Sequence, residues 1–192
     1  MEGFLVDEAG ASAAGAAPRG DEQLLVWEQA GTLEVGLFLS ADLLRRLPDV
    51  GLGAEHFLGR SLSDFAAAAE GVSHFVYLTL QALHDRAVSL LELEVQAEVD
   101  KFAAGALHLW KHGGRARSAE LRRRLFEGVA WRGHLADAER ERYREANRLA
   151  HAYSGRLVPH VAAGALERLL GDLRCAYRLR GPEKFAWLAH GG

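Results

Sequence analysis

AAAAEGVSHFVYLTLQAL, residues 66–83, contains a single permanently charged side chain, Glu70. Read at helical period, the stretch belongs to a helix from about 62 to 84 with two stripes. Phe65, Ala69, Val72, Val76, Leu80 and Leu83 recur at intervals of 4, 3, 4, 4 and 3, the spacing of a core face. Glu70, His74, Tyr77 and Gln81 recur at 4, 3 and 4, so Glu70 and His74 share a face one turn apart. A helix that is apolar on most sides is buried on most sides. The polar stripe is therefore expected to face the bundle interior or a cleft.

A carboxylate taken out of water must be paired or protonated. His74 is the nearest partner in the sequence, and Glu70 should raise its pKa. Three uses stand open: a satisfied structural network, a ligand or catalytic site, or a metal site.

Working outward, SLLE at 89–92 reads as a capping box, with the Ser89 hydroxyl serving the Glu92 amide and Glu92 reaching back. The helix it opens has a core stripe of Leu91, Val95, Val99, Phe102, Ala106 and Leu109, flanked by Glu94 and Glu98. Lys101 offers Glu98 an ordinary ion pair; the functional alternative turns Glu98 inward. In the long helix after Asp137, Tyr143, Ala146, Ala150, Tyr153 and Leu157 make the apolar face, with Asn147 and His151 at its border. If this helix packs on the first, the candidate polar cluster is Glu70, His74, Glu98, Asn147 and His151. Within it, Glu70, His74, Glu98 and His151 are the candidate metal ligands. A divalent metal is the alternative here and not the favoured reading. Di-metal carboxylate bundles use Glu-x-x-His, and the spacing of four seen here argues against one.

The rest of the chain is placed by punctuation. Residues 1–20, rich in Ala, Gly and Ser, read as a mobile tail, with residues 21–192 as a single helical domain. A β-hairpin is expected at about 23–39, with Leu33, Val35, Leu37 and Leu39 on one face, Leu25 and Trp27 facing them, and a turn at Ala30-Gly31. Ser40 caps a short helix that Pro48 stops, and 49–60 is a loop before a cap at Ser61 or Ser63. Ser118 starts a short helix, Asp137 caps the long one, and Pro159 marks its end near Leu157. Leu166, Leu169, Leu170 and Leu173 stripe one more helix, and a last short turn follows Gly181-Pro182. Short connections favour antiparallel neighbours. The fold class is mainly α, formally α+β: an antiparallel bundle of about five helices with a small N-terminal hairpin.

Hydrophobic residues make up 49%, enough for a sizeable core. No apolar run is long enough to span a bilayer, and the N-terminus lacks a basic leader. Cys175 is the single cysteine, which excludes an internal disulfide and a multi-cysteine zinc site. These features lead to an expected cytoplasmic location. Only Lys101, Lys111 and Lys184 are lysines among 23 basic residues, a composition typical of GC-rich bacterial genomes. The net charge of −3 hides an asymmetry. Residues 1–100 hold 17 acids and 5 bases, a net −12, whereas residues 101–192 hold 9 acids and 18 bases, a net +9. Either the basic half meets an acidic protein or ligand, or the two halves neutralise each other.

Several motifs fail on inspection. HLWKH lacks the glutamate of HExxH and closes a helix before Gly113-Gly114. GVSHF is not a nucleophile elbow, since Phe75 replaces the second glycine. Arg115, Arg117, Arg122, Arg123 and Arg124 are anion-binding candidates, yet Glu120 interrupts them and no nucleic-acid fold signature accompanies them. The expected function is a soluble intracellular helical binding or regulatory module. The alternatives are an enzyme or metal-binding protein with a Glu/His cluster between helices and, more weakly, nucleic-acid binding through 115–124.

Overall fold

In the computed structural model of this chain, the described residues are 5–13, 20–29, 32–47, 53–129 and 136–191. Alternation of apolar residues gives β2 (Glu22–Gln29) and β3 (Thr32–Leu39), an antiparallel pair in which Leu24 faces Leu37 and Val26 faces Val35. The expected turn at Ala30-Gly31 lies outside the described residues. Because side chains alternate across a strand, Leu25 and Trp27 project opposite to Leu37, not toward it as anticipated. Their face is covered as well. β1 (Leu5–Val6) pairs parallel to β3, and α1 (Glu8–Ala13) packs Ala11 against Leu25 and Phe38. Residues 5–13 are thus not a tail. A hairpin apolar on both sides needs both sides covered, and this segment covers the second.

The first side rests on α4 (Leu62–Ala82). Gly71 allows the close approach: a Cβ there would lie 3.0 Å from Leu37 Cδ1 and 3.2 Å from Glu22 Cβ. Before α4, the expected loop at 49–60 is helical over its described part. α3 (Ala54–His56) and a π turn at Phe57–Ser61 run straight into α4, burying Phe57 and Leu58. Ser61 is therefore helical and makes no side-chain cap. Upstream, α2 (Ala41–Arg46) is capped as expected, Leu43 N donating to Ser40 Oγ over 3.0 Å. The stop at Pro48 lies outside the described residues.

Ser89 caps α5 (Leu90–Lys111), accepting from Glu92 N over 3.2 Å. Only this half of the capping box forms, since the Glu92 carboxylate is taken by Tyr77. The helix closes at Gly113, φ +73°, with Gly114 N donating to Leu109 O. α6 (Ser118–Phe126) follows a short 3₁₀ turn at Arg115–Arg117. α7 (Asp137–Ala163) then passes through Pro159 and ends at Gly164, φ +75°. Pro159 was expected to end the helix. Packing of α7 against α5, α6, α8 and α9 outweighs the single backbone bond a proline removes. α8 (Leu166–Arg178) and α9 (Gly181–His190), a full helix where a turn was anticipated, complete the chain.

The architecture is mainly helical with a small three-stranded sheet. It differs from a five-helix antiparallel bundle. α4 and α5 are antiparallel, but Arg142 near the start of α7 meets Glu94 near the start of α5, and Gly164 past its end lies by Trp110. α5 and α7 therefore run in the same direction, with α6 in the crossover. The main core joins α5, α6, α7, α8 and α9 to the Phe57–Leu62 segment.

Candidate functional site

The two stripes of α4 point opposite to the expectation for one of them. The polar stripe is the buried one: His74 is 8% exposed, Tyr77 0% and Gln81 6%. The apolar stripe turns outward, with Val72, Val76, Leu80 and Leu83 all exposed. The reason is the supply of partners. α5 presents Glu92, Glu94, Asp100 and Lys101 to α4, where Tyr77, His74, Ser73 and Glu70 meet them in turn.

Two polar clusters fill this seam. In the first, Lys101 Nζ donates to Glu70 Oε2 over 2.9 Å and to Glu98 Oε1 over 2.8 Å. Burial pulls the Lys101 pKa down, but Glu70 and Glu98 more than reverse that and leave it raised. His74 Nε2 lies 3.3 Å from Glu94 Oε2, an ion-pair contact longer than the hydrogen bonds of the seam. Burial lowers the His74 pKa, and the carboxylates of Glu94, Glu70 and Glu22 outweigh burial to raise it. Arg142 Nε stands 3.8 Å from the other Glu94 oxygen. Glu22, brought over α4 by Gly71, is pushed up to about 7 by burial and by the negative charge of Glu70.

The second cluster is a continuous chain of hydrogen bonds. Ser73 Oγ donates to Asp100 Oδ2 over 2.6 Å, and Gln96 Nε2 donates to Asp100 Oδ1 over 2.8 Å. Lys184 Nζ, on α9, donates to Gln96 Oε1 over 2.6 Å and to the Tyr77 hydroxyl over 3.1 Å. Tyr77 in turn donates to Glu92 Oε1 over 2.7 Å. Lys184 is wholly buried, its ammonium 4.5 Å from the Tyr77 ring centre and 5.9 Å from that of Tyr177. Burial pushes its pKa down to about 8 against the pull of Glu92 and Asp100. Burial also raises Asp100.

On the far side of α4 the outward apolar stripe forms one wall of an open trough of about 560 Å³. Phe57, Phe65, Ala69, Val72, Val76 and Ala104 line it, with Phe57 and Phe65 edge to face at 5.0 Å. Its few polar contributors include Ser73 and Asp100, so the trough meets the end of the buried chain.

The candidate residues from sequence are divided by this geometry. Glu70, His74 and Glu98 share the first cluster. His151 does not join them: its Nε2 pairs with Glu127 at 3.4 Å and its ring lies by Phe126. It sits nine residues beyond Arg142, about 13 Å along the axis of α7. Asn147 is half-buried on α7, five residues beyond Arg142. Among the arginines, Arg117 and Arg124 both bind Glu120, and Arg122 donates to the His151 carbonyl. Arg115 packs beside Gly164, and Arg123 is exposed.

Glu22, Arg142, Gln96, Asp100 and Lys184 were not anticipated from sequence. Lys184 carried a signal: in a chain that otherwise uses arginine, two of its three lysines, Lys101 and Lys184, are the buried ones. A compact ammonium on a flexible stem fits an internal bond that a guanidinium fork does not. The charge asymmetry resolves partly inside the fold, where Lys101 and Arg142 meet Glu70 and Glu94. Among the described residues no helix is long and apolar enough to cross a membrane. Comparisons with known protein families, curated proteins and solved structures gave no match.

Proposed function

We propose that the chain is a helical binding module whose ligand is a small amphiphile carrying a hydrogen-bond donor at one end. The observation that carries this reading is the outward apolar stripe of α4, which lines an open trough with the part-buried Ser73–Asp100 pair at its polar spot. Ligand sites are concave and mostly apolar, with a few placed polar groups, and span about 300–1,000 Å³. The head group follows from the bonding. Ser73 spends its proton on Asp100, so its oxygen remains an acceptor. An alcohol or amide suits it, whereas a carboxylate is repelled by Asp100.

Decanol and decanoate separate the cases. The reading expects decanol to shift amide resonances of α4 residues along Phe65–Val76 in a saturable way, and decanoate to do so far more weakly. Val72→Asp, on the exposed wall, should abolish the effect with the melting temperature unchanged. Equal binding of both, or shifts confined elsewhere, overturns it. Self-association through the same face, removed by Val72→Asp without any effect of decanol, would favour a second copy as the occupant.

A further inference from the structure

We propose that Glu70, His74 and Glu94 form a binding site for one first-row divalent cation of the zinc or manganese class. Each offers a ligand atom, and these atoms all lie within 4.8 Å of one another. Zinc ligands at about 2.0–2.2 Å sit about 3–4 Å apart around the ion, so modest side-chain rotations close the site. One imidazole with two carboxylates suits zinc and manganese better than calcium, which takes oxygen ligands only.

The independent observation is His74 itself. Its residue is 8% exposed, and Nε2 points to Glu94 without making a hydrogen bond. Nε2 thus faces a carboxylate oxygen at 3.3 Å with its hydrogen-bonding capacity unfilled, and an ion held between the two would fill it. Charge points the same way. Four carboxyl groups, Glu22, Glu70, Glu94 and Glu98, crowd around two permanent cations, Lys101 and Arg142, an acid-rich surrounding that favours a further cation. Lys101 holds Glu70 and Glu98 in place, acting as the fixed second layer that orients ligands. Glu70, 27% exposed at its side chain, forms the accessible edge through which an ion enters.

The competing donor sets lie elsewhere. His108 and His112 lie ring to ring at 4.5 Å at the C-terminal end of α5, and Cys175 is a lone thiol on α8. The test uses the full chain, stripped of metal and titrated with ZnCl₂ and MnCl₂. Expected are one equivalent bound and a saturating rise in melting temperature. Glu94→Gln and His74→Gln should each weaken binding at least tenfold, while Cys175→Ser leaves it intact. X-ray absorption of the zinc-loaded wild type decides the matter even if a seam variant fails to fold. One imidazole nitrogen with carboxylate oxygens supports the site. A thiolate, or two or more imidazoles, overturns it, as does the lack of any thermal response to either ion at about a hundredfold excess.

Discussion

Lys184 Nζ donates to the Tyr77 hydroxyl over 3.1 Å, tying α9 to α4 across 107 residues of sequence. The bond fixes which side of α4 is inside. Tyr77 is sealed at 0% exposure, and its neighbour Val76 stands 41% exposed.

That contrast gives a test at adjacent positions. Val76→Ser should change unfolding free energy by less than about 0.5 kcal/mol, as for other surface sites. Tyr77→Phe strips Glu92 and Lys184 of a buried partner and should cost about 1–3 kcal/mol. Urea unfolding measures both. Equal losses, or a larger loss for Val76→Ser, would mean that α4 is rotated from the orientation described.

The depressed pKa of Lys184 sets a pH dependence. Between about 8 and its ordinary 10.5, Lys184 is deprotonated when folded and protonated when unfolded. The unfolded state then binds more protons, so stability contributed by this group rises with pH across that window and is flat below it. Lys184→Met should remove the rise, so wild type gains on the variant by roughly 2–3 kcal/mol from pH 8 to 10.5. Denaturation midpoints across that range read the difference, and parallel profiles would contradict it.

Glu22 behaves in the opposite sense. Its folded pKa, about 7, exceeds the ordinary 4.5. Between those values the folded state holds a proton that the unfolded state has lost, so stability falls as pH rises through the window. With chelator present, Glu22→Gln should match wild type near pH 4.5 and exceed it at pH 8 by about 1–2 kcal/mol, allowing for its partial exposure. A variant weaker than wild type at pH 8 would show that the carboxylate stabilises the seam.

Gly71→Val tests the contact between sheet and helix. The new Cβ would meet Leu37 Cδ1 at 3.0 Å and Glu22 Cβ at 3.2 Å, and branching adds further overlap. A loss of about 2–3 kcal/mol is expected, typical of overpacking in a closed site. Hydrogen exchange should quicken most in β2 and β3. Unchanged protection there would place the hairpin elsewhere.

Much of this fold is legible in the sequence where the determinant is local. Ser40 and Ser89 announce their caps, Gly113 its helix stop, and the Val95–Leu109 spacing its core face. The facing of α4 was not legible in full, because both of its stripes have helical period and the choice depends on what α5 presents. Glu70 and His74 stood out as charged or titratable groups in an apolar run. Glu94 read as an edge residue, since nothing nearby in sequence says that Arg142 and His74 close over it. Lys184 lies 88 residues from Gln96, beyond any local pattern.

The Ser73–Asp100–Gln96–Lys184 chain runs from the trough wall to the terminal helix without a break. An occupant that donates to the Ser73 oxygen would touch one end of this chain, whose other end lies on α9, where Trp187 follows Lys184 by less than one turn and Arg156 clasps its carbonyl at 2.6 Å. Fluorescence of that indole would read whether a binding event in the trough reaches the terminal helix.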